Sequence, residues 1–306
     1  MNYVLFHSSC MDGLFSAYTV WKKYGEENWT YIPVKYQEPL PDLINPQVIY
    51  IVDFSYSKEI LQGLSRRCIR VFVIDHHDSM KDELLNLKGN FPYGQIIFNI
   101  DKCGCVLTYN HCFPDLEIPE LLSYVQDRDL WTWEWLNSRE INEGLRNKIK
   151  FHEDILENFK RIDHILEYWA YEERDLLYME GKGILNYKNE LVNGVATHVE
   201  NKQWVIGSYR YKVGIVNCGV YDLVSEVGNA ILLKNQDLHF SMIYTYSIDK
   251  GWNISLRGMD RRDEYGDSIH VGNIAKSMGG GGHKNSSNFK TKDNTLLLED
   301  LIHGFP

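Results

Sequence analysis

Short apolar runs recur along the first half of the chain, and each ends on groups that titrate or bind cations. Tyr3-Val4-Leu5-Phe6 leads into His7 and then Cys10-Met11-Asp12-Gly13, Val48-Ile49-Tyr50-Ile51-Val52 into Asp53, and Ile69-Arg70-Val71-Phe72-Val73-Ile74 into Asp75-His76-His77. A fourth run, Leu121-Leu122-Ser123-Tyr124-Val125, fits a strand or a helix and leads into Gln126-Asp127-Arg128-Asp129. Apolar residues at helical spacing lie between these runs, over Leu14 to Tyr24, Ile60 to Arg67 and Cys105 to Phe113. The alternation predicts repeated βα units and a parallel sheet, hence an α/β fold class. In such a sheet the ligand crevice lies beyond the carboxyl ends of the strands, so the polar tips are expected to converge.

The pattern changes after residue 150. From Glu153 to about Lys188 the sequence is charged and free of proline, with Ile155, Leu156, Phe159, Ile162, Ile165, Leu166 and Trp169 at amphipathic helical spacing. Beyond Trp204, β-rich runs return at Val213-Gly214-Ile215-Val216 and over Phe240 to Ser247, with a helical stretch from Tyr221 to Lys234. The expected organisation is an N-terminal parallel-sheet lobe over 1–150, a helical linker over 151–195, and a smaller mixed α/β lobe over 196–306. A chain of 306 residues suffices for two cores.

With no apolar run of membrane-spanning length and no basic-then-apolar leader, a soluble cytoplasmic protein without a membrane partner is expected. The six cysteines are then expected as reduced thiols. A net charge of -10 argues against a duplex DNA partner held by a basic surface. Charge is uneven, however. From Lys250 to Lys292 there are eight Lys or Arg against four acids, either a phosphate-facing patch or a solvated face.

Polar groups at the tip of a buried strand need partners, and a carboxylate beside two imidazoles at Asp75-His76-His77 suits metal ions or phosphate. Taken singly, His7 reads as a core or capping histidine, Asp53 as a helix N-cap and Asp127 as a surface acid. Carboxylates with imidazoles, without thiolate clusters, favour a hard ion such as manganese or magnesium over structural zinc.

The order of these motifs resembles the DHH phosphoesterase superfamily. Gly279-Gly280-Gly281-Gly282-His283 is similar to the glycine-rich signature of its associated substrate-binding domain, and Asn253-Ile254-Ser255-Leu256-Arg257 to the strand carrying that domain's arginine. The resemblance spans His7 to about Phe289. It implies two Mn2+ ions, with Mg2+ as the alternative. Asp53 would bridge them, Asp12, His76 and Asp127 would complete one site, and His7 would belong to the other. Asp75 becomes a ligand or the orienter of His76, and His77 touches the substrate phosphate. Asp129 reads either as part of this set, as an N-cap or as a partner of Arg128. Many family members carry aspartate where Cys10 stands. The Cys-x-Asp-Gly form resembles a short-oligonucleotide (nanoRNase or oligoribonuclease) and cyclic-nucleotide subgroup. Cys10 is then a weak ligand, a neighbour of water or an inert thiol.

Four consecutive glycines imply a backbone that must approach something closely, or a hinge. Free N–H groups of Gly280, Gly281 and Gly282, with Arg257 and His283, suit phosphate oxygens. Lys284, Arg261 and Arg262 extend that patch or are solvated. Trp131, Trp133 and Trp135 suit base stacking or packing. Cys103, Cys105, His111 and Cys112 have poor spacing for zinc.

The resemblance thus implies a two-lobed manganese-dependent phosphodiesterase that cuts short oligonucleotides from the 3′ end to 5′ mononucleotides. The alternatives are a cyclic mono- or dinucleotide phosphodiesterase and a non-catalytic nucleotide sensor. Oligomeric state is not legible in the chain.

Overall fold

The computed structural model describes residues 1–35, 38–89, 91–206, 209–249, 251–263 and 265–291, so Lys250 and Lys292 of the basic stretch lie outside the described residues. The chain divides into two units, Met1–Leu185 and Asn186–Pro306.

In the first unit, β1 (Asn2–His7), α1 (Met11–Tyr24), β2 (Trp29–Val34), β3 (Val48–Val52), α2 (Lys58–Ser65), β4 (Arg70–Asp75), α3 (Lys81–Leu87) and β5 (Gly94–Phe98) follow in chain order. The helices α4 (Gly104–Cys112), α5 (Glu120–Asp129), α6 (Ser138–Lys148) and α7 (Ile155–Glu167) come next, and then α8 (Arg174–Ala196), which continues past the unit boundary. The sheet is wholly parallel in the order β2-β1-β3-β4-β5. Its strands obey period-two alternation. Val4, Phe6, Tyr50, Val52 and Ile74 face α1, α4, α5 and α7 on one side. Tyr3, Leu5, Ile49, Ile51, Val71 and Val73 face α2 and α3 on the other. Both faces are buried, which explains why the central strands are near-continuous apolar runs.

The ambiguous run at Leu121 is helical. Leu121, Leu122, Tyr124 and Val125 are buried at the spacing of one helix face in α5. Sequence reading found no strand at β2 or β5. β2 is an edge strand of intermediate exposure that carries Pro33, and such a strand shows no continuous apolar signal. Phe159, Ile162 and Ile165, from the segment expected to be a linker, lie in the α1/α4/α5 core of the first unit.

The second unit contains β6 (Glu200–Ile206), β7 (Tyr209–Asn217), α9 (Val224–Lys234), β8 (Phe240–Ser247), β9 (Gly251–Arg257), α10 (Val271–Ser277), β10 (Gly281–Gly282) and β11 (Ser286–Thr291). They form a six-stranded mixed sheet in the order β10-β11-β9-β8-β7-β6, with β7 and β8 its parallel pair. The protein is therefore mixed α/β, with a parallel sheet followed by a mixed one. No helix among the described residues is long and apolar enough to cross a membrane.

Candidate metal centre

The strand order reverses between β1 and β3, since the chain leaves β1 for β2 on one side and returns to β3 on the other. Such a switch point opens a crevice at the carboxyl ends of the strands. His7 ends β1, Asp53 follows β3 and Asp75 ends β4, so three adjacent strands deliver their polar tips to one place.

Asp53 is the centre of the arrangement. Its backbone is left-handed, with φ 59°, and its N–H donates to Ile74 O at 2.9 Å. Aspartate tolerates this conformation better than bulkier residues, at some cost in strain. Asp53 Oδ1 lies 3.1 Å from His76 Nε2, and Asp53 Oδ2 lies 3.4 Å from His7 Nδ1. His76 Nε2 also lies 3.5 Å from Asp12 Oδ2 and 3.5 Å from Asp129 Oδ2. Among the described residues two close donor groups contain Asp53, Asp12/Asp53/His76 and His7/Asp53/His77, each with donor atoms within 4.8 Å of one another. Asp53 belongs to both.

Asp12 is fixed from behind. It sits in the first turn of α1, and its two carboxylate oxygens accept the N–H groups of Gly104 and Cys105 at the start of α4, both at 2.6 Å. The positive end of that helix favours the anion. Gly13 lets α1 reach this position, because a Cβ there would lie 2.2 Å from His7 O. Gly104 is equally constrained. An added Cβ would lie 2.8 Å from Asp53 Cβ and 2.9 Å from Asp12 Oδ2.

Asp75 is fully buried, and its Oδ1 accepts His76 N at 2.8 Å, His77 N at 3.2 Å and His77 Nδ1 at 2.7 Å. It thus orients the ring of His77 rather than that of His76. A ring nitrogen fixed by a carboxylate leaves the other free to ligate in a defined direction.

Asp127 is not brought into the cluster. Its Oδ1 accepts Thr132 Oγ1 at 2.6 Å and Glu134 N at 2.8 Å, and its Oδ2 accepts Trp135 N at 3.3 Å. The carboxylate is consumed by the loop after α5. Asp129 instead faces His76, because two residues along a helix turn the side chain by about 200°. The sequence pointed to Asp127, but which of two acids this close in the chain faces the sheet depends on the face of α5 that meets it.

The electrostatics of the cluster favour a bound cation. Asp12, Asp53, Asp75 and His76 are each at most 1% exposed. Burial, with the charges of Asp53 and Asp129, pushes the Asp12 carboxyl well above its ordinary range. Burial also favours a neutral Asp53, but bonds with His7 and His76 outweigh it and hold that group well below the carboxylate range. For His76, burial is offset by the Asp53 bond and the charges of Asp129 and Asp12, raising it to about 10. A desolvated carboxylate cluster of this kind is costly without compensating positive charge. The all-oxygen and imidazole donor set matches a hard divalent ion.

The cysteines do not alter that choice. Cys10 precedes α1, and burial with the Asp53 and Asp129 charges pushes its thiol well up. Cys103 and Cys105 are buried with sulfurs 3.4 Å apart, and together with Asp12 they form a further close group. Burial raises both thiols, Cys105 to about 12, so they remain protonated. His111 lies beside Tyr50 and Phe72 instead.

In the second unit, Arg257 on β9 and the glycine run at β10 flank the same strand, β11. Arg257 is paired with Ser286 of β11, and Gly281 and Gly282 pair with Asn288 and Ser287 of the same strand. Arg257 Nη1 donates to Leu256 O at 2.8 Å and Ser287 O at 3.5 Å, and Nη2 donates to Ser225 Oγ at 2.8 Å. The close approach implied by the glycines is to β11. A Cβ on Gly280 would lie 2.1 Å from Asn288 O, and one on Gly282 would lie 2.5 Å from Ser286 O. Gly279 and Gly282 also have positive φ, 78° and 139°. His283 donates its backbone N–H to Ser286 O at 2.7 Å. Arg261 donates to the carbonyls of Leu232, Asn235 and Leu238, Arg262 to Gly266 O, and Lys284 pairs with Asp260, so these cations have local tasks.

No protein-family model matches the chain. An uncharacterized protein of Acanthamoeba polyphaga mimivirus is 28% identical over 307 residues, taking in 94% of this chain. The chain spans 66% of that curated relative's length. Among solved structures, RecJ of Thermus thermophilus in complex with Mn2+ aligns over 97% of this chain and 50% of its own, with 13% identity and a TM-score of 0.51. A pGpG-specific phosphodiesterase of Vibrio cholerae aligns over 98% of this chain and 97% of its own, with 13% identity and a TM-score of 0.47. The likeness to RecJ is one of fold.

Proposed function

We propose that this protein is a divalent-metal-dependent phosphodiesterase that hydrolyses short oligonucleotides to 5′ mononucleotides in the 3′ to 5′ direction, in the cytoplasm. The observation that carries the reading is the sharing of Asp53 between two buried carboxylate and imidazole groups. This is the donor arrangement expected for a pair of ions acting on one phosphoryl centre.

In this reading Asp12, Asp53, His76 and Asp129 would hold one ion, and His7, Asp53 and His77 the other. Asp129 takes the place first expected for Asp127. Mn2+ is the favoured ion, with Mg2+ as the alternative. When bound, the ions would supply charge neutralisation at phosphorus and acidify water. The chain's own residues perform the positioning. The amides of Gly104 and Cys105 hold the Asp12 carboxylate, and Asp75 holds the ring of His77. Burial of Asp12, Asp53, Asp75 and His76 strengthens the charge interactions among them. In the second unit, His283 is the group assigned to phosphate oxygens, whereas the Gly280 amide, expected to be free, already donates to Ala275 O at 2.8 Å. Arg257 retains donors beyond those bonded to Leu256, Ser287 and Ser225 for the same task.

The test is product analysis by chromatography with Mn2+ and a panel of linear dinucleotide, five-nucleotide RNA, long RNA, cyclic mononucleotide and cyclic dinucleotide. Asp53→Ala is the control. Fast mononucleotide release from the shortest linear substrates, absent in Asp53→Ala, is expected. Preferential ring opening would replace the oligonucleotide reading with a cyclic-nucleotide one, and an intact panel would replace it with a nucleotide sensor.

A further inference from the structure

The loop after α5 combines strain, aromatic surface and nearness to the metal centre in a way that packing does not explain. Trp131 and Trp133 both have left-handed backbones, with φ 60° and 56°. For bulky residues this is a rare and costly conformation, and it persists only where the surroundings impose it. Asp127 imposes it here. Its carboxylate gathers Thr132, Glu134 and Trp135, and its carbonyl accepts Thr132 N at 3.0 Å. A buried carboxylate is thus dedicated to the shape of this loop.

The shape does not serve a core. Trp135 leans on Tyr124, a core residue, at 5.3 Å between ring centroids. Trp131 and Trp133 belong to none of the packed apolar clusters among the described residues and remain partly exposed. They pack on each other edge to face at 4.9 Å, and the guanidinium of the exposed Arg139 lies 4.4 Å from the Trp133 ring centroid. Their place is set covalently. Trp131 is two residues beyond Asp129, so their Cα atoms are at most about 7 Å apart, and Asp129 Oδ2 is 3.5 Å from His76 Nε2.

We infer that Trp131, Trp133 and Arg139 form a stacking platform for a nucleobase of the substrate, within the first unit and beside its phosphate-processing groups. The inference rests on the phosphodiesterase reading for the identity of the substrate and narrows it to nucleobase-bearing diesters. Indole and guanidinium planes accept any base by stacking. Such a platform favours nucleotides over inorganic polyphosphate and prescribes little sequence preference. Asp127 is then a positioning residue that holds the platform.

The test compares adenosine 5′-monophosphate with ribose 5-phosphate by calorimetry on the full-length protein with Mn2+. The variants are Trp131→Ala, Trp133→Ala, their double and the conservative Trp133→Tyr. Stacking of one base is worth roughly 1–3 kcal/mol, so the wild type should prefer the nucleotide by roughly 5- to 150-fold. The alanine variants should collapse that ratio toward one while ribose 5-phosphate binding stays put, and Trp133→Tyr should keep most of it. An unchanged ratio in the double variant, equal loss of both ligands, or a wild type that binds neither would overturn the platform. A wild type that shows the preference yet leaves every diester intact would overturn the phosphodiesterase reading and leave the platform standing.

Discussion

Gly104→Ala inserts one methyl group where the start of α4 meets both central carboxylates. The new Cβ would stand 2.8 Å from Asp53 Cβ, 2.9 Å from Asp12 Oδ2 and 3.0 Å from Asp53 Cα. Ordinary carbon contacts are about 3.5–4.0 Å, so each neighbour must give by several tenths of an ångström. None can do so freely. Asp53 is tied by its N–H to Ile74 O, and Asp12 is tied to the amides of Gly104 itself and Cys105. Overpacking of this kind costs about 1–3 kcal/mol. The strain is relieved by moving the ligating oxygens, and disturbance of groups that support ligands typically costs about 10- to 100-fold in metal affinity. Gly104→Ala should therefore weaken Mn2+ binding by that range, read by calorimetric titration, and lower the urea midpoint. Gly63→Ala in α2 is the matched control, since its Cβ would meet nothing within 4 Å. It should bind Mn2+ normally and gain up to about 1 kcal/mol from helix propensity. Wild-type Mn2+ affinity in Gly104→Ala would refute both the packing argument and the assignment of Asp12 and Asp53 as ligands.

Asp129→Asn should cut Mn2+ affinity at least about tenfold. Asp127→Asn should leave it within a few-fold but expose the chain between Arg128 and Ser138 to limited proteolysis, the two being compared by titration and by mapping of cleavage sites. Arg257→Lys should destabilise the second unit by about 1–3 kcal/mol in urea unfolding, because an ammonium cannot reach Leu256 O, Ser287 O and Ser225 Oγ together. Burial alone would raise the Asp163 carboxyl, but hydrogen bonds from Lys22 and Tyr18 outweigh it and hold it below the ordinary range. Its contribution is therefore present above the unfolded-state pKa and lost as pH falls through the lower folded one. Asp163→Asn should cost under about 1 kcal/mol at pH 7, given its partial exposure, and nothing once both forms are protonated in strong acid. Urea midpoints at both pH values decide it.

The central sheet was legible because a strand buried on both faces must be apolar almost throughout, as Val48–Val52 and Val71–Ile74 are. The polar tips were legible for the complementary reason, since His7, Asp53 and Asp75-His76-His77 interrupt those apolar runs. Edge strands gave no such signal. Trp29–Val34 mixes exposed and buried positions and carries a proline that only an edge tolerates. The tertiary supports of the site were also hidden. That Gly104 must be glycine, and that its amide holds Asp12 across 92 residues of sequence, follows from how α4 docks against α1. No local pattern announces such a contact. That Asp129 rather than Asp127 lies beside His76 has the same origin, because the rotation of α5 about its axis decides which acid faces the sheet tips.

The glycine run has a consequence for how sequences of this kind can be sorted. Gly280 and Gly282 are dictated by contact with β11, where any side chain would collide with Asn288 or Ser286. A descendant that lost all catalytic power would still need those glycines in order to fold. The motif most visible to the eye is thus dictated by architecture. On the proposed reading, the acids that would separate a working hydrolase from a silent one, Asp12 and Asp53, are single letters in the sequence. Inventories of such proteins compiled from the glycines would count shapes, and on the proposed reading only the aspartates would speak to activity.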